Sequence, residues 1–117
     1  MRYMLLIYGD EQVHAGKTPE EMEAMMGTWM KYTEDLQSSG KWIAGDALQP
    51  TTTATTVRAA ANGTLTSDGP FAETKEQLGG FYMINADNLD EAVEWAARMP
   101  NLPEGGSVEV RPIMEFE

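Results

Sequence analysis

The sequence predicts an α+β fold: a ferredoxin-like βαββαβ antiparallel sheet carrying one extra hairpin. Three observations predict it. Two runs, Tyr3–Tyr8 and Phe81–Ala86, are apolar at odd and even positions alike. A strand with that pattern is buried on both faces and belongs in the middle of a sheet. Two amphipathic helix patterns, each with a cap, stand between shorter strand patterns. The resulting order is β-α-β-(hairpin)-β-α-β, which places two helices on one face of an antiparallel sheet. In that arrangement the first and third core strands are central and the other two are edges.

The elements follow in order. Tyr3–Tyr8 forms the first strand, and Gly9-Asp10-Glu11 ends it. Gly9–Lys17 reads as a polar loop holding the single histidine, His14. Thr18 is a helix N-cap, Pro19 suits the first helical position, and Glu21 completes a capping box. Met22, Met25, Met26, Trp29, Tyr32, Thr33 and Leu36 recur at three- and four-residue steps as a core-facing stripe. Gly40, after Ser38-Ser39, is the expected left-handed residue past the helix end. Lys41–Ala44 reads as a short strand broken by Gly45-Asp46, and Leu48–Thr53 as a loop. Thr55–Ala60 and Thr64–Thr66, joined at Asn62-Gly63, form the extra hairpin. Phe81–Ala86 is the central strand already described. Asn88 caps the second helix with Glu91 as its reciprocal partner, and Leu89, Ala92, Val93, Ala96 and Ala97 form its buried stripe. Ser107–Ile113 alternates, with Pro112 marking an edge strand.

Bulk composition narrows the function classes. A chain of 117 residues suits one domain spanning 1–117. It has no cysteine, which removes disulfides, thiolate metal sites and cysteine nucleophiles. Nineteen acidic residues against eight basic give a formal charge of -11. Such a surface repels phosphate backbones and anionic lipid, so neither nucleic acid nor a membrane is an expected partner. The N-terminal apolar run is too short, and too soon acidic, for a signal peptide, and no run approaches a membrane span. The expected location is the cytoplasm.

Two helices cover only one face of a four-stranded sheet, yet the two central strands are apolar on both. The second face needs a cover, and the simplest is another copy related by a two-fold axis. The expectation is a homodimer whose sheets pack into a barrel-like core, a dimeric α+β barrel. The alternative is a monomer whose 46–70 segment folds over that face.

Candidate site residues cluster at strand ends. Asp68 offers a general base or a ligand anchor, and equally an Asx turn shaping Asp68-Gly69-Pro70. Lys75, between Glu73 and Glu76, suits an anionic ligand. A desolvated glutamate there gains a pKa suited to proton transfer, whereas a solvated helical turn is the plainer reading. Leu78-Gly79-Gly80 is permissive backbone ahead of a strand, without the context of a nucleotide loop. Asp46 is a second carboxylate at a strand end. The catalytic candidates are Asp68, Glu73 and Asp46. The ligand-binding set is Tyr8, Asp68, Phe71, Glu73, Lys75 and Arg111, and the expected ligand is a small organic acid. One histidine without cysteine builds no usual zinc site, and His14 on a polar loop is a poor axial ligand for haem. No metal and no cofactor are expected.

Three stretches carry a family resemblance: Tyr3–Glu11, Asp68–Tyr82 beginning Asp68-Gly69-Pro70-Phe71, and Glu94–Arg98 with Gly106–Ile113. Together they resemble the DGPF proteins, a branch of the YCII-related family within the dimeric α+β barrel superfamily. That resemblance implies relatives among cofactor-free isomerases, monooxygenases and chlorite-dismutase-like haem proteins. It also implies members of unknown biochemical function, many encoded beside or fused to extracytoplasmic-function sigma factors. Two functions follow as expectations. One is cofactor-free proton transfer of isomerase or lyase type. The other is a ligand-sensing or partner-binding module working with a sigma factor. Other YCII-related proteins carry a histidine on the first helix paired with a downstream aspartate. Counted back from Gly40, those positions fall at Trp29 and near Ser38, so the resemblance does not transfer that dyad.

Overall fold

The computed structural model describes residues 1–116. Four strands form one antiparallel sheet: β1 (Arg2–Gly9), β2 (Trp42–Ala47), β5 (Gln77–Asn85) and β6 (Ser107–Pro112), in the spatial order β2-β5-β1-β6. Strands β3 (Thr55–Ala60) and β4 (Gly63–Asp68) pair only with each other, as a separate two-stranded ribbon. The helices are α1 (Glu11–Ala15), α2 (Pro19–Ser38) and α3 (Leu89–Ala96). The architecture is α+β, and the two doubly apolar strands occupy the centre of the sheet.

One face of the sheet holds the core. Tyr3 pairs with Ile84 and Leu5 with Tyr82, and alternation puts these four side chains on the helix side. Leu5, Ile84, Leu36 of α2, and Ala92 and Met99 at and beyond α3 are essentially inaccessible. Each large apolar side chain buried this way contributes about 1.5–3 kcal/mol. An aromatic group joins the layers: Tyr82 lies 5.0 Å from Trp42 and 5.7 Å from Trp29, and Tyr32 lies 6.1 Å from Trp95, all edge-on. Trp29, where the dyad histidine of the resemblance falls, is thus a packing residue against Tyr32 and Tyr82.

The opposite face is built from Met4 paired with Met83 and Leu6 paired with Phe81. All four are partly buried. Neither α2 nor α3 lies over them, because both pack on the Tyr3–Leu5 side. The chain measures 49 × 47 × 18 Å with a radius of gyration of 16.2 Å. A compact chain of this length has a radius of about 13 Å. The molecule is a slab finished on one side.

The caps form as the sequence requires. Thr18 and Glu21 exchange both bonds of the capping box. Gly40 is left-handed at φ 73°, and the Lys41 N–H returns to the Leu36 carbonyl at 3.0 Å. Asn88 accepts from the Glu91 N–H, while the Glu91 carboxylate receives the Asp87 N–H, one residue earlier than the expected reciprocal bond.

Several expectations are corrected. The 9–17 segment contains α1, because Asp10 accepts from the Gln12 N–H and caps a turn there. Strand β2 runs through Gly45-Asp46 to Ala47. A Cβ at Gly45 would meet the Tyr82 and Trp42 rings at 2.7 and 2.9 Å, so that glycine admits the aromatic cluster and does not break the strand. The 51–53 stretch is a 3₁₀ turn. Asp68 is the last residue of β4, opposite Thr55, and the turn begins only at Gly69 with φ 96°. Residues 73–76 bend without a helical turn. Strand β5 begins at Gln77 and includes Gly79-Gly80, where a Cβ on Gly80 would sit 2.8 Å from the Asp46 carbonyl. The methionine half of the α2 stripe is only partly covered: Met22 and Met25 are half-buried and Met26 is 60% exposed, and only Tyr32 and Leu36 are buried.

Candidate functional site

The ends of β1, β5 and β6 meet the 69–76 connection at one end of the sheet. Register slips between Ile7 and Tyr8, so Ile7 faces Gly80 while Tyr8 faces Leu78. This bulge re-aims the Tyr8 side chain at the sheet end. Asn101 holds the neighbouring backbone. Its Nδ2 donates to the carbonyls of Tyr8 at 3.1 Å and Ser107 at 3.0 Å, and its Oδ1 is buried without a partner. Gly106 is required beside it, since a Cβ there would lie 2.6 Å from the Tyr8 carbonyl.

An open cleft of about 650 Å³ results, lined by Tyr8, Thr74, Glu76, Ser107, Val108 and Glu109. The Tyr8 hydroxyl donates to Glu109 at 3.4 Å, and the Ser107 hydroxyl donates to Glu76 at 3.1 Å. The cleft holds two carboxylates and no cation. Arg111 stands nearby on β6, 3.5 Å from Glu109, and is exposed.

A smaller cleft of about 400 Å³ lies alongside, lined by Asp10, Glu11, Gln12, Thr74, Lys75 and Gln77. Here the Glu11 carboxylate accepts from the Thr51 N–H at 2.8 Å and its hydroxyl at 2.9 Å. Gln77 accepts from the Glu11 N–H at 2.9 Å and donates to the Thr74 carbonyl. Glu11 and Gln77 therefore tie three chain segments together.

Of the sequence candidates, Tyr8 lines the larger cleft and Lys75 the smaller. Asp46 is exposed on β2 opposite Phe81. Asp68 is exposed at the ribbon's end, and Glu73 is exposed in the connection. Phe71 is 76% exposed, and its carbonyl accepts from Arg58 at 2.8 Å. None of these four lines either cleft. Glu76 stands out in sequence as a carboxylate flanking Lys75 and as one of two glutamates suited there to proton transfer; it is exposed and lines the larger cleft. Glu109 and Ser107 stand in sequence only within the alternating last strand and its family resemblance, Asn101 has no motif, and the fold brings all three to Tyr8. Among the described residues no charged side chain is buried, and no three His, Asp or Glu residues converge as metal ligands. No helix among them is long and apolar enough to cross a membrane. His14 is an exposed residue in the last turn of α1.

The groups with perturbed acidity lie elsewhere. Burial pushes the Tyr32 and Tyr82 phenols up. Tyr32 donates to the Trp95 carbonyl at 2.7 Å, and Tyr82 shares a 2.6 Å hydrogen bond with the Thr33 hydroxyl. Both phenols are locked between the layers as neutral structural groups.

The pattern of the YCII-related domain matches residues 1–117, and the chain belongs to that family. An uncharacterized protein of Rhizobium meliloti (strain 1021) is 44% identical over 118 residues, spanning all of this chain and 95% of the relative.

Proposed function

We propose that the protein is a homodimeric small-molecule-binding protein, a dimeric α+β barrel on the ferredoxin-like plan whose site opens at the Tyr8 end of the sheet. The uncovered Met4–Leu6–Phe81–Met83 face carries this reading. An apolar surface of that kind, on a slab 18 Å thick, is what a second sheet covers. A copy stacked there narrows the clefts at the sheet end, because Tyr8 continues the open face beyond Leu6.

Binding without turnover is the better-supported mode. A general base needs a raised pKa, and burial is the usual means of raising it. Among the described residues no carboxylate is buried. The larger cleft presents Glu76 and Glu109 as acceptors, with the hydroxyls of Tyr8, Thr74 and Ser107 beside them. It favours a donor-rich molecule such as an ammonium or amide compound over the organic acid expected from Lys75.

Two measurements test the reading. Sedimentation at micromolar concentration is expected to show a dimer, and a stable single-chain species would overturn it. Thermal-shift screening is expected to show stabilisation by ammonium or amide compounds that disappears in Glu76→Gln and Glu109→Gln. Stabilisation by carboxylates alone would reverse the ligand assignment.

A further inference from the structure

Four of the nine methionines, Met22, Met25, Met26 and Met30, stand close together on α2. Met22 and Met26 are one helical turn apart, as are Met26 and Met30, and Met25 closes a triangle with Met22 and Met26. Residues at these spacings are neighbours on a helix surface, with Cβ atoms about 5–6 Å apart. Long helical side chains lean back over the preceding turn, so Met30 leans toward Met26 and Met26 toward Met22. Packing uses little of this group. Met22 and Met25 are half-buried, Met26 and Met30 are 60% and 62% exposed, and the helix is anchored further along by Tyr32 and Leu36.

The sulfurs are the chemistry on offer. A thioether is soft and polarisable, carries no proton, and sits on a flexible stem that lets several sulfurs turn toward one centre. Elsewhere the methionine sulfurs are engaged. Met1 accepts from the Tyr3 hydroxyl at 3.9 Å, and Met83 accepts from the Arg2 guanidinium at 3.7 Å. Among the described residues no such donor serves the four sulfurs on α2.

The helix around them favours a cation. It carries Glu20, Glu21, Glu23, Glu34 and Asp35 against Lys31 alone, a net charge of -4. Lys31 is held by Asp35 at 2.6 Å. Such a field gathers positive ions. A hard ion would need converging oxygen ligands, and among the described residues no three acidic or histidine side chains converge. Thioethers select a soft ion instead, copper(I) among the biological metals.

We infer that Met22, Met25 and Met26, with Met30 one turn on, form a thioether site for a single soft monovalent cation, copper(I) or its redox-inert analogue silver(I). None of the four lines a cleft or the open sheet face, so the site stands independently of the ligand and dimer readings. Binding changes no oxidation state.

Silver(I), added alone in chloride-free buffer, tests it by calorimetry, with the methionine methyl signals followed by NMR. The chains are wild type, Met26→Leu, Met30→Leu and Met114→Leu. Leucine nearly matches methionine in volume and all three sites are exposed, so the variants keep the fold. The expected result is one bound equivalent, with the methyls of Met22, Met25 and Met26 shifting together and that of buried Met99 unmoved. Met26→Leu is expected to weaken binding about tenfold or more, Met30→Leu by less, and Met114→Leu not at all. A thioether has no proton to lose, so affinity should be the same at about pH 5.5 and pH 7.5, whereas an imidazole site at His14 would release the ion as pH falls through about 6.5. Copper(I), kept reduced by ascorbate without oxygen, is expected to move the same methyls. Shifts spread evenly over every exposed methionine, wild-type affinity in Met26→Leu, loss of the ion toward pH 5.5, or failure of either ion to bind would each overturn the site.

Discussion

Along the two central strands, β1 and β5, both faces of the sheet are apolar, and the two faces have opposite fates. On one, Tyr3, Leu5, Tyr82 and Ile84 meet the helices, and Leu5 and Ile84 lose all contact with water. On the other, Met4, Leu6, Phe81 and Met83 stay partly exposed, flanked by Arg2, Arg111, Glu109 and Asp46. These residues alternate along the same two strands, so neither strand propensity nor position in the sheet explains the difference. What differs is the supply of covering elements: the chain has two long enough to pack across a sheet, and both lie on one side. Apolarity on both faces thus records two separate requirements, and the helices meet only one of them.

Substitutions on the two faces should therefore fail in different ways. The largest effect belongs to the covered face. Leu5→Ala and Ile84→Ala are expected to cost about 3–4 kcal/mol each, because both sites are sealed and cannot collapse. Chemical denaturation measures this, and a loss under 1 kcal/mol would mean that the helix layer does not hold the fold. On the open face, Leu6→Asp is expected to weaken self-association by about a hundredfold, since a charge would be desolvated against the partner sheet. Its monomer should still melt cooperatively, and sedimentation beside circular dichroism separates the two readouts. Unfolding of Leu6→Asp at every concentration would erase the distinction between the faces.

Smaller changes sharpen the comparison. Tyr82→Phe leaves the Thr33 hydroxyl without its 2.6 Å partner and should cost about 1 kcal/mol in the fold, with no change in self-association. The smallest effect lies at the edge of the helix layer. Glu91 is held below the usual carboxylate range, first by the Asp87 backbone N–H and then by Lys41. A depressed folded-state pKa contributes stability that is full above the unfolded value and disappears as pH falls through the folded one. Glu91→Gln should therefore melt below wild type at pH 7, and the gap should close below about pH 4. A gap that persists at pH 3 would assign the loss to packing.

The residues that announced the fold are those whose role is local. Thr18, Pro19, Glu21 and Gly40 bound α2 through bonds within a few residues of themselves, and Asn62-Gly63 sets its turn the same way. Misread residues owe their role to distant neighbours. Gly45 and Gly80 look like breakers, yet each sits inside a strand because another strand or ring presses on it. Asp10 looked like the end of β1 and is also the cap of α1, a helix of five residues that is too short to show an apolar stripe. Met26 fits the period of α2, but a period shows which side of a helix is apolar, not how far the cover extends. The clefts were least legible. Tyr8, Glu76, Ser107 and Asn101 come from segments up to 99 residues apart in the sequence, and their meeting depends on sheet order and on one bulge.

The three tryptophans, Trp29, Trp42 and Trp95, all surround Tyr32 and Tyr82 between the sheet and the helices. None lies on the ribbon or on the Leu6 side. Intrinsic indole emission will thus follow the melting of the inner layer while staying nearly blind to the meeting of two chains. A titration of the proposed dimer is expected to look flat by fluorescence, and a label on the Leu6 side, in a chain without cysteines of its own, supplies the missing signal.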